Sequence, residues 1–231
     1  MKTVQDYLDG ELLLIDKPLE WTSFQVVNKL RWHLRQTFNL KKIKVGHAGT
    51  LDPLATGLLI ICTGKMTKQI ATFQAQTKTY TGSIELGSTT PSYDLETAKN
   101  KHFPIAHITP DLIHKTTEKF IGEIEQFPPV FSALKKGGKR LYEFARAGEE
   151  VKIDSRKVHI QEFKILAIKD TQLSFSVRCS KGTYIRSLAH DFGKALESGA
   201  HLTALRRSKI GAFSVDNAVS VNEFIASLKE S

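Results

Sequence analysis

Only two cysteines occur in the 231 residues, Cys62 and Cys179, far apart in the chain and each in an apolar, strand-like context. That scarcity excludes a disulfide scaffold and a cysteine-rich metal site, and reads as two buried free thiols in a reducing compartment. No stretch approaches the roughly 18 uncharged apolar residues of a membrane span, and the polar, acidic start from Met1 to Gly10 holds no signal core. A cytoplasmic, non-membrane protein is expected. Nucleotide loops are missing too: Gly64-Lys65 is followed by Met66, leucine stands at 59 where a phosphate loop needs glycine, and no dinucleotide fingerprint is present. The eight histidines, His33, His47, His102, His107, His114, His159, His190 and His201, show no recognised ligand spacing, so no metal is expected and no cofactor is demanded. There is no internal repeat, low-complexity tract or linker, which favours a single domain over residues 1–231. Acidic residues are the remaining shortage: 24 against 33 lysines and arginines, a net charge of +9. Such a balance favours an anionic partner such as nucleic acid, although a chain can also be merely basic.

Against these absences one segment stands out. Gly46-His47-Ala48-Gly49-Thr50-Leu51-Asp52-Pro53-Leu54-Ala55-Thr56-Gly57 places a carboxylate among glycines and a proline, just before the apolar run Leu58 to Cys62. Short apolar runs bounded by breakers read as core strands, so Asp52 reads as a reactive group held on a loop at the edge of a buried strand. Asp-Pro is equally a turn former, and by its residues alone Asp52 fits either role.

Around that loop, Glu11 to Asp16 reads as a strand, and Thr22 with Gln25 has the spacing of a capping box ahead of Val26, Val27, Leu30 and Leu34. A helix over about Ser23 to Phe38 follows. Its Lys29, Arg31 and Arg35, with Lys41, Lys42 and Lys44, form either a cationic patch beside the loop or a solvated face. From Thr79 the chain alternates, putting Tyr80 on the face of Ile84 and Leu86. Thr109-Pro110 opens a helix to about Phe120, Val158 to Ile168 and Leu173 to Cys179 read as strands, and Gly182-Thr183 introduces an amphipathic helix with Arg186 in its first turn. A cation there opposes the macrodipole by about 0.3–1 kcal/mol, so Arg186 is expected to have a compensating partner such as a carboxylate. Gln126 to Glu150 mixes Pro128-Pro129, Gly137-Gly138 and four basic residues between Lys135 and Arg140 with Phe131, Tyr142 and Phe144. Basic residues among aromatics suit RNA; the alternative is a surface loop with a short helix from Leu141 to Ala147.

Six blocks in order, Leu14-Ile15-Asp16-Lys17-Pro18, Gly46 to Gly57, Lys78-Thr79-Tyr80, Pro129 to Arg146, Cys179 to Gly193 and Gly199 to Gly211, span nearly the whole chain. Together they resemble the TruB family of tRNA pseudouridine synthases. The resemblance implies an α+β (mixed α/β) pseudouridine synthase fold with a central mixed, largely antiparallel sheet flanked by helices. It implies isomerisation of uridine 55 in the T-loop of tRNA, without cofactor or metal, by a monomer that needs no protein partner. Matched residue by residue, it implies Asp52 as the catalytic aspartate, Arg186 as its partner, Tyr80 as the tyrosine stacking on the target base, and His47 as a holder of the opened T-loop. Tyr184 and Leu205 match residues lining the base pocket, and the segment near 126–150 matches the RNA-gripping insertion. Phosphate contacts are expected from Lys135, Lys136, Lys139, Arg140, Arg206, Arg207 and Lys209. Two departures stand out. The chain ends at Ser231, about where the catalytic domain should finish, so a form without the C-terminal PUA domain is expected. The turn Thr89-Thr90-Pro91-Ser92-Tyr93-Asp94 differs from the family pattern, and Asp94 is matched to its final aspartate. A synthase for another uridine and a noncatalytic RNA-binding protein or tRNA folding chaperone are the alternatives.

Overall fold

The apolar run that follows the Gly46–Gly57 loop is buried on both sides, which is why it is continuously hydrophobic rather than alternating. It forms β3 in the computed structural model, which describes residues 2–132, 134–149 and 151–229. Met1, Ala133, Glu150 and the last two residues, which fall within the span and the 126–150 segment read from the sequence, lie outside the described residues. In chain order the elements are α1 (Val4–Asp9), β1 (Leu12–Lys17), α2 (Ser23–Thr37), β2 (Val45–His47), β3 (Ala55–Thr63), α3 (Ile70–Ala75) and β4 (Lys78–Leu86). Next come β5 (Ser88–Thr89), β6 (Lys101–His102), α4 (Pro110–Glu118), β7 (Gly122–Gln126), β8 (Lys135–Lys136), β9 (Lys139–Arg140) and α5 (Leu141–Ala147). The chain closes with β10 (Arg156–Lys169), β11 (Gln172–Cys179), α6 (Ile185–Ala195), β12 (Ala200–Ile210), β13 (Phe213–Ser214), β14 (Val219–Ser220) and α7 (Val221–Ser227). It divides into two compact units, residues 1–80 with 205–231, and residues 81–204. Both parallel and antiparallel pairings occur, so the class is mixed α/β.

In the first unit β3 is the central strand. β1 pairs antiparallel along one edge, Leu12 opposite Cys62 and Lys17 opposite Gly57. The other edge is shared. β2 pairs antiparallel with the end of β3, His47 opposite Ile61, and β12 pairs parallel with its start, Leu205 opposite Ala55 and Arg207 opposite Gly57. The loop between β2 and β3 therefore emerges where one neighbour gives way to the next. The two faces of β3 belong to two cores. Leu59 and Ile61 pack with Leu13, Ile15 and the Val26, Val27, Leu30 and Leu34 stripe of α2, whereas Leu58, Ile60 and Cys62 pack with Ala48, Phe73 and Ile210. Each fully buried aliphatic side chain contributes about 1.5–3 kcal/mol. α2 begins at the Thr22/Gln25 capping box read from the sequence.

In the second unit β10 and β11 form a long antiparallel hairpin, turned by Asp170 (φ 51°) and Thr171, and β7 pairs with the other edge of β10. Phe163 packs edge-on against Phe120, Phe175 and Phe192, which ties the strands to α6 and to the chain just after α4. The 126–150 segment holds a small hairpin, β8 and β9, whose turn uses Gly137 (φ 59°) and Gly138 (φ 87°), conformations glycine enters at no steric cost. α5 follows and ends at Gly148 in the left-handed region. Several elements go beyond the sequence reading, among them the short helices α1, α3 and α7, the strand β7, and β12, whose run of Arg206, Arg207 and Lys209 obscures its alternation. Among the described residues no helix is long and apolar enough to cross a membrane.

Candidate active site

The Gly46–Gly57 loop is built around two buried cations. Arg207, only 1% exposed, comes off β12 and donates from Nε to the Leu58 carbonyl (2.8 Å), from Nη2 to Gly49 (3.0 Å) and from Nη1 to Thr50 (3.5 Å). The planar guanidinium thus ties two carbonyls of the loop, Gly49 and Thr50, to the Leu58 carbonyl of β3. Gly57 (φ 102°) is the place where the two backbones touch: a Cβ there would lie 2.3 Å from the Arg207 carbonyl oxygen. Lys17, fully buried at the end of β1, donates to the carbonyls of Trp21 (2.5 Å), Pro18 (2.8 Å) and Pro53 (3.3 Å). Burial pulls its pKa down to about 8; the Asp52 charge pulls it back up and Arg207 lowers it.

These contacts fix where Asp52 sits. Its carbonyl accepts from the Ala55 N–H (3.1 Å), closing a four-residue turn with Pro53 in the second position. Asp52 thus starts a turn and presents a half-buried carboxylate in the field of Lys17. Leu51 is locked to Ser23 at the start of α2, its N–H donating to Oγ (2.8 Å) and Oγ donating back to its carbonyl (3.2 Å). His47 ends β2, and its pKa is lowered by burial first and by Arg207 second, so it is neutral at pH 7. Tyr80 is 8% exposed on the β4 face it shares with Ile84 and Leu86, and Leu205 is half-buried. Asp52, Tyr80, His47 and Leu205 all belong to the first unit.

The second unit supplies a different cluster. Arg186, 4% exposed in the first turn of α6, donates from Nη1 to the Ser92 carbonyl (3.3 Å), and its Nε lies 3.6 Å from Asp94 Oδ2. Asp94 is thus a carboxylate of the kind the macrodipole argument required. Tyr184 caps the same helix: its N–H donates to Gln126 Oε1 (2.7 Å), its carbonyl accepts from Gln126 Nε2 (2.9 Å), and the Arg156 guanidinium lies 5.0 Å from its ring centroid. Nothing in the sequence reading pointed to Gln126, Lys17 as a buried cation, or Arg156. Each has a partner 28 to 58 positions away.

The basic residues are sorted differently from expectation. Arg207 is not available to phosphates, because its guanidinium is buried against the loop carbonyls; this corrects the sequence reading. Arg206 is committed to Asp16 through two parallel hydrogen bonds (2.6 and 3.0 Å), in the fork geometry that favours arginine. Lys139 pairs with Glu149 (3.0 Å) and Lys136 lies 3.8 Å from Asp154, while Lys135 and Arg140 are exposed. A second basic surface lies in the first unit, where Lys42, Lys44, Lys65 and Lys68 line a cavity of about 430 Å³. Among the described residues no group of three His, Cys, Asp or Glu side chains is placed to hold a metal.

One titration stands apart. His190, half-buried on α6, has its pKa pulled down to about 4 by burial and by Lys194. Between pH 6.5 and about 4 the unfolded chain binds a proton that the native histidine refuses, so stability falls as pH falls through that window. The pKa of half-buried Asp191, raised by burial, acts in the opposite sense. We expect His190→Phe to lose less thermal stability than the parent between pH 6.5 and 4; identical pH profiles by calorimetry would exclude this histidine as a source of acid sensitivity.

Comparison with known proteins places these features in a family. The model described as "TruB family pseudouridylate synthase (N terminal domain)" matches residues 35–185, and "tRNA pseudouridylate synthase B C-terminal domain" matches residues 186–230. The chain is 60% identical over 228 residues to tRNA pseudouridine synthase B of Flavobacterium johnsoniae, covering 98% of this chain and 100% of that protein. It is 52% identical to the protein of the same name from Phocaeicola vulgatus, covering 95% and 93%. Among solved structures it resembles a chain of a Cbf5-Nop10-Gar1 complex, with a TM-score of 0.72 and 27% identity, covering 97% of this chain but only 56% of that one. A chain of an H/ACA RNP bound to a substrate RNA containing 2'-deoxyuridine gives a TM-score of 0.68 at 26% identity, covering 97% and 55%, so the chain spans about half the length of either solved relative. With a family model over more than half of its length and full-length relatives at 60% identity, the chain belongs to the TruB family of pseudouridylate synthases.

Proposed function

We propose that this enzyme converts uridine 55 in the T-loop of tRNA to pseudouridine, with Asp52 acting on the flipped nucleotide. The observation that carries the reading is the Asp52 turn itself, a half-buried carboxylate on a loop pinned by Arg207 and beside the buried ammonium of Lys17. Attack at C6 of the base, attack at C1′ of the ribose, and stabilisation of a glycal-type intermediate all need that carboxylate ionised. By the family resemblance Arg186 is assigned to the reaction, with Asp94 orienting its guanidinium. Tyr80 offers a stacking face worth about 1–3 kcal/mol, against a flipping cost of a few kcal/mol. Neutral His47 supports the opened loop, and Tyr184 and Leu205 line the base pocket.

Incubating unmodified tRNA with the enzyme and mapping pseudouridine by carbodiimide-dependent primer extension tests the reading. A single stop at position 55 is expected; product at another uridine, or tight binding without product, would overturn it in favour of a different site or a chaperone role. For the grip on RNA we expect two contributors, the exposed cations of the 135–140 hairpin and the Lys42, Lys44, Lys65 and Lys68 surface. Neutralising either set should weaken tRNA binding and flatten its dependence on salt by about 0.7–0.9 of a logarithmic slope unit per lost phosphate contact. A set whose removal leaves the slope unchanged does not touch the backbone of the RNA.

A further inference from the structure

The turn from Thr89 to Asp94 enters the proposed chemistry only through Asp94, yet its most unusual residue is the one before. Tyr93 has φ 65°, a left-handed conformation that a bulky L-residue enters only when its surroundings over-determine it. Its ring lies flat against the imidazole of His190, with centroids 3.9 Å apart and planes 13° from parallel. His190 follows Arg186 by four positions on α6, so the two side chains leave the same face one turn apart. Adjacent residues of the turn, Tyr93 and Asp94, therefore meet adjacent turns of the helix, one by stacking and the other by charge.

The rest of the turn is held largely by hydrogen bonds of its own. The Tyr93 N–H donates to the Thr90 carbonyl (3.1 Å), and its carbonyl accepts from the Leu202 N–H (2.9 Å). Thr90 Oγ1 and Ser92 Oγ both donate to the Asp94 carbonyl (2.6 and 3.2 Å). Asp94 Oδ1 accepts from the Glu96 N–H (3.0 Å), which leaves Oδ2 toward Arg186. All these bonds lie within the turn and its neighbouring strand. The distance of the turn from α6 depends on the side chains that cross between them, and the Arg186 guanidinium reaches the turn by long contacts, 3.3 Å to the Ser92 carbonyl and 3.6 Å to Asp94 Oδ2. The aromatic stack supplies a fixed spacing. His190 brings no competing hydrogen bond to this contact: among the described residues its buried Nδ1 has no partner, and the ring is neutral at working pH.

We propose that the Tyr93–His190 stack is a positioning device, setting the height of the turn above α6 so that Asp94 holds the Arg186 guanidinium in the orientation the reaction needs. Neither ring touches the substrate. The inference rests on the reading of Arg186 and Asp94 given above and adds two residues to it.

Tyr93→Gly separates backbone from ring, because glycine keeps the positive φ without strain while removing the stack. The expected result, in single-turnover assays following tritium release from tRNA carrying 5-tritiated uridine, is a fall in rate of about tenfold, the size typical of coupled neighbours. The thermal midpoint and tRNA affinity stay near those of the parent, and Tyr93→Phe and His190→Phe, which keep planar rings, retain the rate within about twofold. The decisive readout is the double variant: in an Asp94→Asn background Tyr93→Gly should cost little more, because the ring acts through the carboxylate. An unchanged rate in Tyr93→Gly, or a full additional loss on top of Asp94→Asn, overturns the proposal. If Asp94→Asn alone leaves the rate unchanged, the reading of Arg186 and Asp94 fails first and takes the positioning role with it.

Discussion

Asp52→Asn should abolish turnover, by at least about 10⁴-fold, while tRNA affinity stays within roughly an order of magnitude of the parent. The amide occupies the same volume and asparagine is as good a turn residue as aspartate, so the Ala55 N–H bond to the residue-52 carbonyl, which is backbone to backbone, survives. What disappears is the negative charge and its lone-pair reactivity. A second signature follows from the loss of charge: Lys17 loses the Asp52 charge that raises its proton affinity, and its pKa should fall below the present value of about 8. Measured by single-turnover kinetics beside filter binding, retained turnover in Asp52→Asn would remove the carboxylate from the mechanism. A parallel collapse of binding and turnover would show instead that the loop had lost its shape.

Arg207→Met should show that second outcome. Methionine keeps much of the side chain's bulk but leaves the carbonyls of Gly49, Thr50 and Leu58 without their donor. A buried acceptor stripped of its partner costs about 1–3 kcal/mol, and three of them give an expected loss of about 3–5 kcal/mol after partial relaxation. For a protein of this size that is a fall in thermal midpoint of roughly 10 °C. Turnover should fall by about 10²-fold, since misplacing a reacting group by about 1 Å has that effect. Arg207→Lys should recover part of the stability, because an ammonium can serve one or two of the carbonyls. The salt dependence of tRNA binding should not change in either variant. A flattened salt slope with an unaltered midpoint would return Arg207 to the RNA surface, and would contradict its burial.

The pattern of what was legible follows from how far each signal reaches along the chain. α2 announces itself within four residues through Thr22 and Gln25, and its apolar stripe repeats at helical spacing. β3 declares its burial on both faces through five consecutive apolar side chains. The 141–147 helix came out as a local feature because a loop and a helix differ by local periodicity. β12 did not, since three basic residues in its second half look like surface until one of them is seen to have carbonyls waiting for it.

The sequence by itself determined the family, the mixed α/β class and the residue on which chemistry is proposed to turn, because those are carried by contiguous motifs and local periodicity. Tertiary structure alone decided which charges serve the fold and which remain for RNA. Arg207 and Lys17 are buried where each meets several main-chain carbonyls, and Arg206 is held by Asp16, 190 positions earlier in the chain. Asp94 and Tyr93 acquire their positions from one face of α6. A basic residue's sequence neighbours do not reveal whether an acceptor will stand opposite it, since that acceptor comes from a segment brought close only by folding.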